Sequence, residues 1–205
     1  MERVKKIFSG LVLYEIFLIL LMVFSNYVLT LDKNIFLFIN KISNPFLDLF
    51  FISITFIGST IFWILLIIIF WFEKKREISV RLIFSLIMDS VLLVFLKWSF
   101  VRPRPSDRFS DIEVLSSDIG SSFPSGHSER VFSGAVILGH FHKKLRYLFF
   151  LLAFLVSFSR IYIGVHYPLD SLIGALNGII VGYLALLLPT KKIQKKLEKF
   201  WKSSK

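Results

Sequence analysis

The chain alternates long apolar runs with short charged clusters. Residues 7–31 are almost wholly apolar, and a helix crossing a bilayer needs about 20 such residues. The run is too long for the apolar part of a signal peptide and no small-residue cleavage site follows it, so it is expected to be a retained first span. Residues 32–44 set Ile35, Phe36, Phe38, Ile39 and Ile42 among polar positions, the pattern of a short helix at the membrane interface, and Pro45 ends it. Phe46 opens a mostly apolar stretch, interrupted by Asp48 and broken at Gly58-Ser59, which fits an interfacial or re-entrant piece leading into a second span over 55–72. Further spans are expected over 78–100, 125–140, 145–158 and 168–188. A polar loop over 101–123 separates the third from the fourth, and a lysine-rich tail occupies 189–205. The expected fold is all-α: a single domain built as a six-helix transmembrane bundle.

Composition agrees with the pattern. The 205 residues are 55% hydrophobic, and the mean hydropathy of +0.71 is too high for a soluble domain of this length. With no cysteine there is no disulfide framework, thiolate chemistry or cysteine metal site. The net charge of +11 has a membrane explanation, so no nucleic-acid partner is expected. Lysine and arginine cluster at residues 3–6, 74–76 and 143–146 and in the tail. Six spans place all four clusters on one side, which the positive-inside rule makes the cytoplasm, with both termini there. The tail, with Ile193, Leu197, Phe200 and Trp201 among lysines, is expected to form a surface helix on anionic headgroups. Residues 32–45, 101–123 and 159–166 then face outward. Arginines in the last two break the charge bias, and an anion-binding site there would explain them.

Chemistry gathers where the fifth span meets the sixth, in the stretch from Ser159 through Arg160, His166 and Pro168 to Asp170. His166 and Asp170 are four apart, a spacing that puts both on one face of a helix. An aspartate that accepts the Nδ1 proton leaves Nε2 free as a nucleophile or base. Taken alone, such a pair at a helix start is more often structural than catalytic. Two further stretches shift the balance. Lys97 ends the third span and Arg104-Pro105 follows, while Pro124-Ser125-Gly126-His127 opens the fourth. By the topology above, all three stretches share the outer membrane face.

Each part suits phosphoryl transfer. Lys97, Arg104 and Arg160 offer point and forked charges for phosphate oxygens. Ser125 is a candidate N-cap and Gly126 admits close approach of backbone, so the first turn of that helix would offer N–H groups to an anion. His127 stands ready to protonate a leaving oxygen, and His166, oriented by Asp170, to attack phosphorus.

Together the three stretches resemble the signature motifs of the type 2 phosphatidic acid phosphatase superfamily, and the six-span layout is similar to its membrane branch. The resemblance covers the phosphate site from Lys97 to Asp170. It implies phosphate binding by Lys97, Arg104 and Arg160 and an oxyanion pocket completed by Ser125 and Gly126. It also implies His127 as acid and His166 as nucleophile held by Asp170. The implied reaction is hydrolysis of a lipid phosphate through a phosphohistidine, without metal or other cofactor, at the outward face of the bacterial inner membrane. Lipid A 1-phosphate and undecaprenyl pyrophosphate lead the expected substrates, with phosphatidylglycerol phosphate and phosphatidic acid behind them. An idle lipid-phosphate binder or transporter on the same fold is the competing class, and transfer of phosphate to a second lipid is the competing reaction.

One departure is Glu129-Arg130, where membrane relatives carry small or apolar residues. Two charges there are costly in lipid, so they either pair with each other, with Asp89 or with loop groups, or meet the headgroup. Arg102 and Arg108 are further candidates for headgroup contact. His140 and His142 fall at the cytoplasmic end and are expected on the surface.

Overall fold

The computed structural model describes residues 25–190 continuously and a few positions before them. About half of the expected first span, and the tail beyond Thr190, lie outside the described residues. Helix α1 (Asn26–Asn40) begins at Ser25, whose hydroxyl accepts the Val28 N–H at 3.2 Å. It runs through residue 32 unbroken, so no helix boundary falls there. The polar residue that suggested that boundary, Asp32, is buried, and its carboxylate accepts the Leu169 N–H at 2.8 Å.

Pro45 opens a helix as well as closing a turn. Asn44 caps α2 (Pro45–Thr55), with the proline at the first helical position where its missing N–H costs nothing. A 3-10 turn (Phe56–Gly58) follows, then Ser59 caps α3 (Thr60–Phe72) by accepting the Phe62 N–H at 3.2 Å. The second long run expected over 55–72 is therefore split by that cap. Its helical part has 13 residues, about 20 Å of helix against a hydrocarbon core of about 30 Å. Helix α1 and the α2 segment meet at a bend of 117°, the form of a broken span or a re-entrant loop.

Helix α4 (Arg76–Ser99), short α5 (Pro105–Arg108), α6 (Gly126–Phe141), α7 (Arg146–Tyr162) and α8 (Pro168–Leu186) complete the order. The fold is all-helical, with no strand among the described residues. Three helical stretches there are long and apolar enough to cross a membrane: α4, α7 with the turn before it (Lys143–Tyr162), and α8. Counting the bent pair as one span makes four.

Helix α6 is not apolar, and its place in the bundle shows why. It packs against α8, α7 and α4 together, so its polar groups meet protein. Ser128, Glu129 and Ser133 are all buried. Ser133 donates to the Asp89 carboxylate of α4 at 2.7 Å, and Arg130 Nε donates to the Gly58 carbonyl at 2.9 Å. Close approach to α8 depends on glycines at intervals of four, Gly174, Gly178 and Gly182. A methyl group on Gly174 would collide with the Ser125 carbonyl, and one on Gly178 with the Glu129 carbonyl. An apolar core of Trp63, Ile67, Leu82, Ile137 and Val156 fills the space between α3, α4, α6 and α7. A second core, with Phe36, Phe51, Tyr162 and Val165, seats α1 and α2 on the end of α7.

Because the α6–α8 contact is made backbone to backbone, Gly178→Val is expected to cost about 1–3 kcal/mol by overpacking. Gly10→Val, at a position with nothing within 4 Å, should leave stability unchanged. Thermal unfolding of the two variants in the same detergent checks this.

Candidate active site

The site grows from the way α7 hands over to α8. Helix α7 ends at Tyr162, and Gly164 turns the chain with φ +86. The His166 N–H returns to the Arg160 carbonyl at 3.1 Å, which brings the two functional side chains of this stretch together. Tyr167 caps α8, Pro168 takes its first position, and Asp170 stands in the first turn. His166 thus precedes the helix, and helical spacing does not bring it to Asp170. The turn does: His166 Nδ1 lies 3.6 Å from Asp170 Oδ2.

Asp170 is wholly buried and heavily bonded. Its Oδ2 accepts the Ser122 hydroxyl at 2.5 Å and the Tyr167 N–H at 2.9 Å. Its Oδ1 accepts Arg102 Nη1 at 2.5 Å. Arg102 also pairs with Asp32 and lies 4.0 Å over the Tyr167 ring. The backbone closes the arrangement, because Ser125 N–H donates to the Asp170 carbonyl at 3.0 Å. Ser125 in turn caps α6, its hydroxyl accepting from Ser128 N–H at 3.5 Å.

His166 is the side chain these contacts orient. Burial pushes its pKa down to about 4, against the opposing pull of Asp170, so the ring is neutral at pH 7. With Nδ1 facing Asp170 and Ser122 Oγ 3.5 Å away, Nε2 points to the opposite side. There the cations gather. Arg160, buried, donates from Nη2 to Asp118 Oδ2 at 2.5 Å and from Nη1 to Thr55 at 2.9 Å. Arg104 Nη1 lies 3.5 Å from the same Asp118 oxygen and donates to the Val165 carbonyl at 2.9 Å. His166 Nε2 is 3.9 Å from it. Burial would raise the Asp118 carboxyl, but Arg160, Arg104 and His166 outweigh it and hold it below the usual carboxylate value. Lys97 Nζ donates to the Ser121 carbonyl on the same loop. His127 packs over Gly58 and feels the charges of Arg160, Arg130 and His166.

This geometry sits inside a sequence match. The family model described as "PAP2 superfamily" matches residues 78–194, more than half of the chain. The chain belongs to the PAP2 superfamily. An undecaprenyl-diphosphatase of Sulfolobus acidocaldarius is 33% identical over 62% of this chain and 65% of its own length, just under two thirds of that relative. A lipid A 4'-phosphatase of Porphyromonas gingivalis is 31% identical over 77% of this chain and 72% of its own. Among solved structures, a transmembrane PAP2-type phosphatidylglycerolphosphate phosphatase from Bacillus subtilis superposes with a TM-score of 0.72. It is 28% identical and the alignment covers 92% of this chain and 96% of that one. With these relatives and its apolar helices, this PAP2 chain is a multi-pass membrane protein.

The motif residues of this PAP2 chain fall into two groups. Lys97, Arg104, Ser125, His127, Arg160, His166 and Asp170 assemble around the loop that carries Asp118. The expected headgroup residues divide. Arg102 is committed to Asp170, Asp32 and Tyr167. Arg108 is exposed, beside Lys33 on a cavity of about 670 Å³ between α1 and the motif loop. Glu129 and Arg130 interact electrostatically with each other, and Arg130 also with Asp89.

Three residues in the site carried no sequence signal. Asp118 stands in a Ser/Asp-rich run where nothing distinguishes it from Asp111. Ser122 is one loop serine among several, and Asp32 lies outside the matched region, far along the chain from Arg102.

Arg102 holds two buried carboxylates, so removing it leaves both without their cation, a change worth about 3–5 kcal/mol. Arg102→Ala should lower the melting temperature sharply, while Arg108→Ala on the exposed side should not. Scanning both in detergent decides it.

Proposed function

We propose that this chain is an integral membrane lipid phosphatase that cleaves a phosphate or pyrophosphate monoester from a lipid headgroup. The observation that carries the reading is the convergence of Arg160, Arg104 and His166 Nε2 on one point, occupied by a carboxylate oxygen. A phosphoryl oxygen placed there would meet two guanidinium groups with the nucleophilic nitrogen alongside. Lys97, one loop carbonyl away, adds a third positive charge.

The mechanism follows from these positions. His166 Nε2 attacks phosphorus while the P–O bond to the lipid breaks, and His127 gives the departing oxygen its proton. Asp170 balances the charge that His166 gains as it bonds to phosphorus. Water then attacks the phosphohistidine, yielding inorganic phosphate and the free imidazole. Charge stabilisation by fixed cations accomplishes most of this, so no metal step is invoked.

Six spans with both termini cytoplasmic would set the site at the outward face of the bacterial cell membrane, consistent with the positive-inside pattern. Undecaprenyl pyrophosphate and lipid A are the leading substrates. Relatives named for each lipid support them, as does the cationic cavity beside Arg108.

Phosphate release from lipid A, undecaprenyl pyrophosphate, phosphatidylglycerol phosphate and phosphatidic acid tests this, using purified protein with EDTA. Release should survive EDTA and fall by at least a thousandfold in His166→Ala. Binding of these lipids without any release would overturn the hydrolase in favour of a binder or transporter. Release that required added metal would overturn the mechanism. Loss of lipid phosphate matched by gain on a second lipid would make it a transferase.

A further inference from the structure

Asp118 sits where the reaction needs an empty anion site. A single oxygen, Oδ2, takes the Arg160 hydrogen bond at 2.5 Å, faces Arg104 Nη1 at 3.5 Å and lies 3.9 Å from His166 Nε2. These are the three groups that a phosphoryl oxygen would use. Two anions cannot occupy one such point, because like charges in contact inside a low-dielectric pocket repel strongly.

We infer that Asp118 is a specificity-determining residue: its carboxylate fills the phosphate position in the free protein and must be displaced by the incoming lipid phosphate. This rests on the phosphatase reading and extends it to what the site excludes.

The surroundings allow the exchange. The Asp118 side chain is 29% exposed, whereas Arg160 beside it is 2% exposed, so the carboxylate can rotate outward while its cations stay fixed. The Ile119 side chain, next along, is fully exposed, and the loop backbone there is held by Arg104, which donates to the Ile119 and Gly120 carbonyls at 3.3 and 3.0 Å. Arg104 is held from outside this loop by the Val165 carbonyl, and Arg160 by Thr55. Both stay in position when Asp118 leaves.

The consequence is selection by total binding. A ligand must recover the contacts that Asp118 gives up before it gains any affinity. A lipid phosphate does so with its acyl or prenyl chain as well as its charge. Free inorganic phosphate has only its charge. Asp118 therefore weakens product inhibition and assists release of phosphate after the phosphohistidine is cleaved.

The test compares wild type, Asp118→Asn and Asp118→Glu in detergent. Equilibrium binding of orthovanadate and inorganic phosphate is measured by calorimetry, and melting temperature is followed against phosphate concentration. Asp118→Asn should bind both anions about tenfold more tightly, show a larger phosphate-induced rise in melting temperature, and hydrolyse lipid with lower KM and stronger phosphate inhibition. Asp118→Glu, which keeps the charge, should stay within about twofold of wild type in anion affinity. Unchanged or weaker anion binding in Asp118→Asn, with wild type still hydrolysing lipid, would overturn this inference and leave the phosphatase reading intact. Absence of anion binding in all three proteins together with absence of hydrolysis would overturn both.

Discussion

Everything in the site depends on one buried carboxylate. Asp170 has no exposure, and a bare charge there would be costly. Its cost is met by Arg102 and Ser122, from opposite ends of the loop over 101–123, and by the Tyr167 N–H at the start of its own helix. Those bonds tie both ends of that loop to the start of α8, so satisfying one charge also fixes the relative placement of the motifs. His166 is positioned as a by-product, since the group that orients it is itself immobile. A histidine held this way keeps its ring oriented without needing a helix beneath it.

The same logic extends into the bundle. Arg102 bridges Asp170 to Asp32 on α1, which ties the first described helix to the catalytic turn through a charge that neither could bury alone. Helix α6 carries two charges and several serines, yet it lies at the centre, because α8 offers glycines that let the backbones approach closely. Polar groups in α6 then find partners in Asp89 and the Gly58 carbonyl, away from lipid. Sequence hydropathy treats such a helix as a weak span, whereas its surroundings make it the core.

Electrostatics organises the open side. Arg104 and Arg160 converge, and a protein cannot keep two guanidinium groups together without an anion. Asp118 answers that need with a loop residue that reaches solvent, while the cations are anchored by carbonyls and Thr55. A positive cradle filled by a partly exposed carboxylate is a stable arrangement.

Local chemistry made part of this legible from the sequence. Apolar runs announced α4, α7 and α8, because a helix that meets lipid must be apolar along its length, and the motif residues stood out as charges that lipid would not tolerate. The boundaries at residues 32 and 55 were not legible, since Asp32 and Ser59 act through partners or caps that spacing does not distinguish from surface polarity. Glu129 and Arg130 raised a question of packing: Glu129 is buried in the bundle, and Arg130 donates to the Gly58 carbonyl. By itself, then, the sequence determined the helical class, the apolar spans and the residue types able to handle phosphate, all properties of short stretches. Only the tertiary structure decided that Asp118, Ser122, Arg102 and Asp32 join that site. Their roles arise from contacts between residues far apart in the chain, made when the cost of buried charge has to be met.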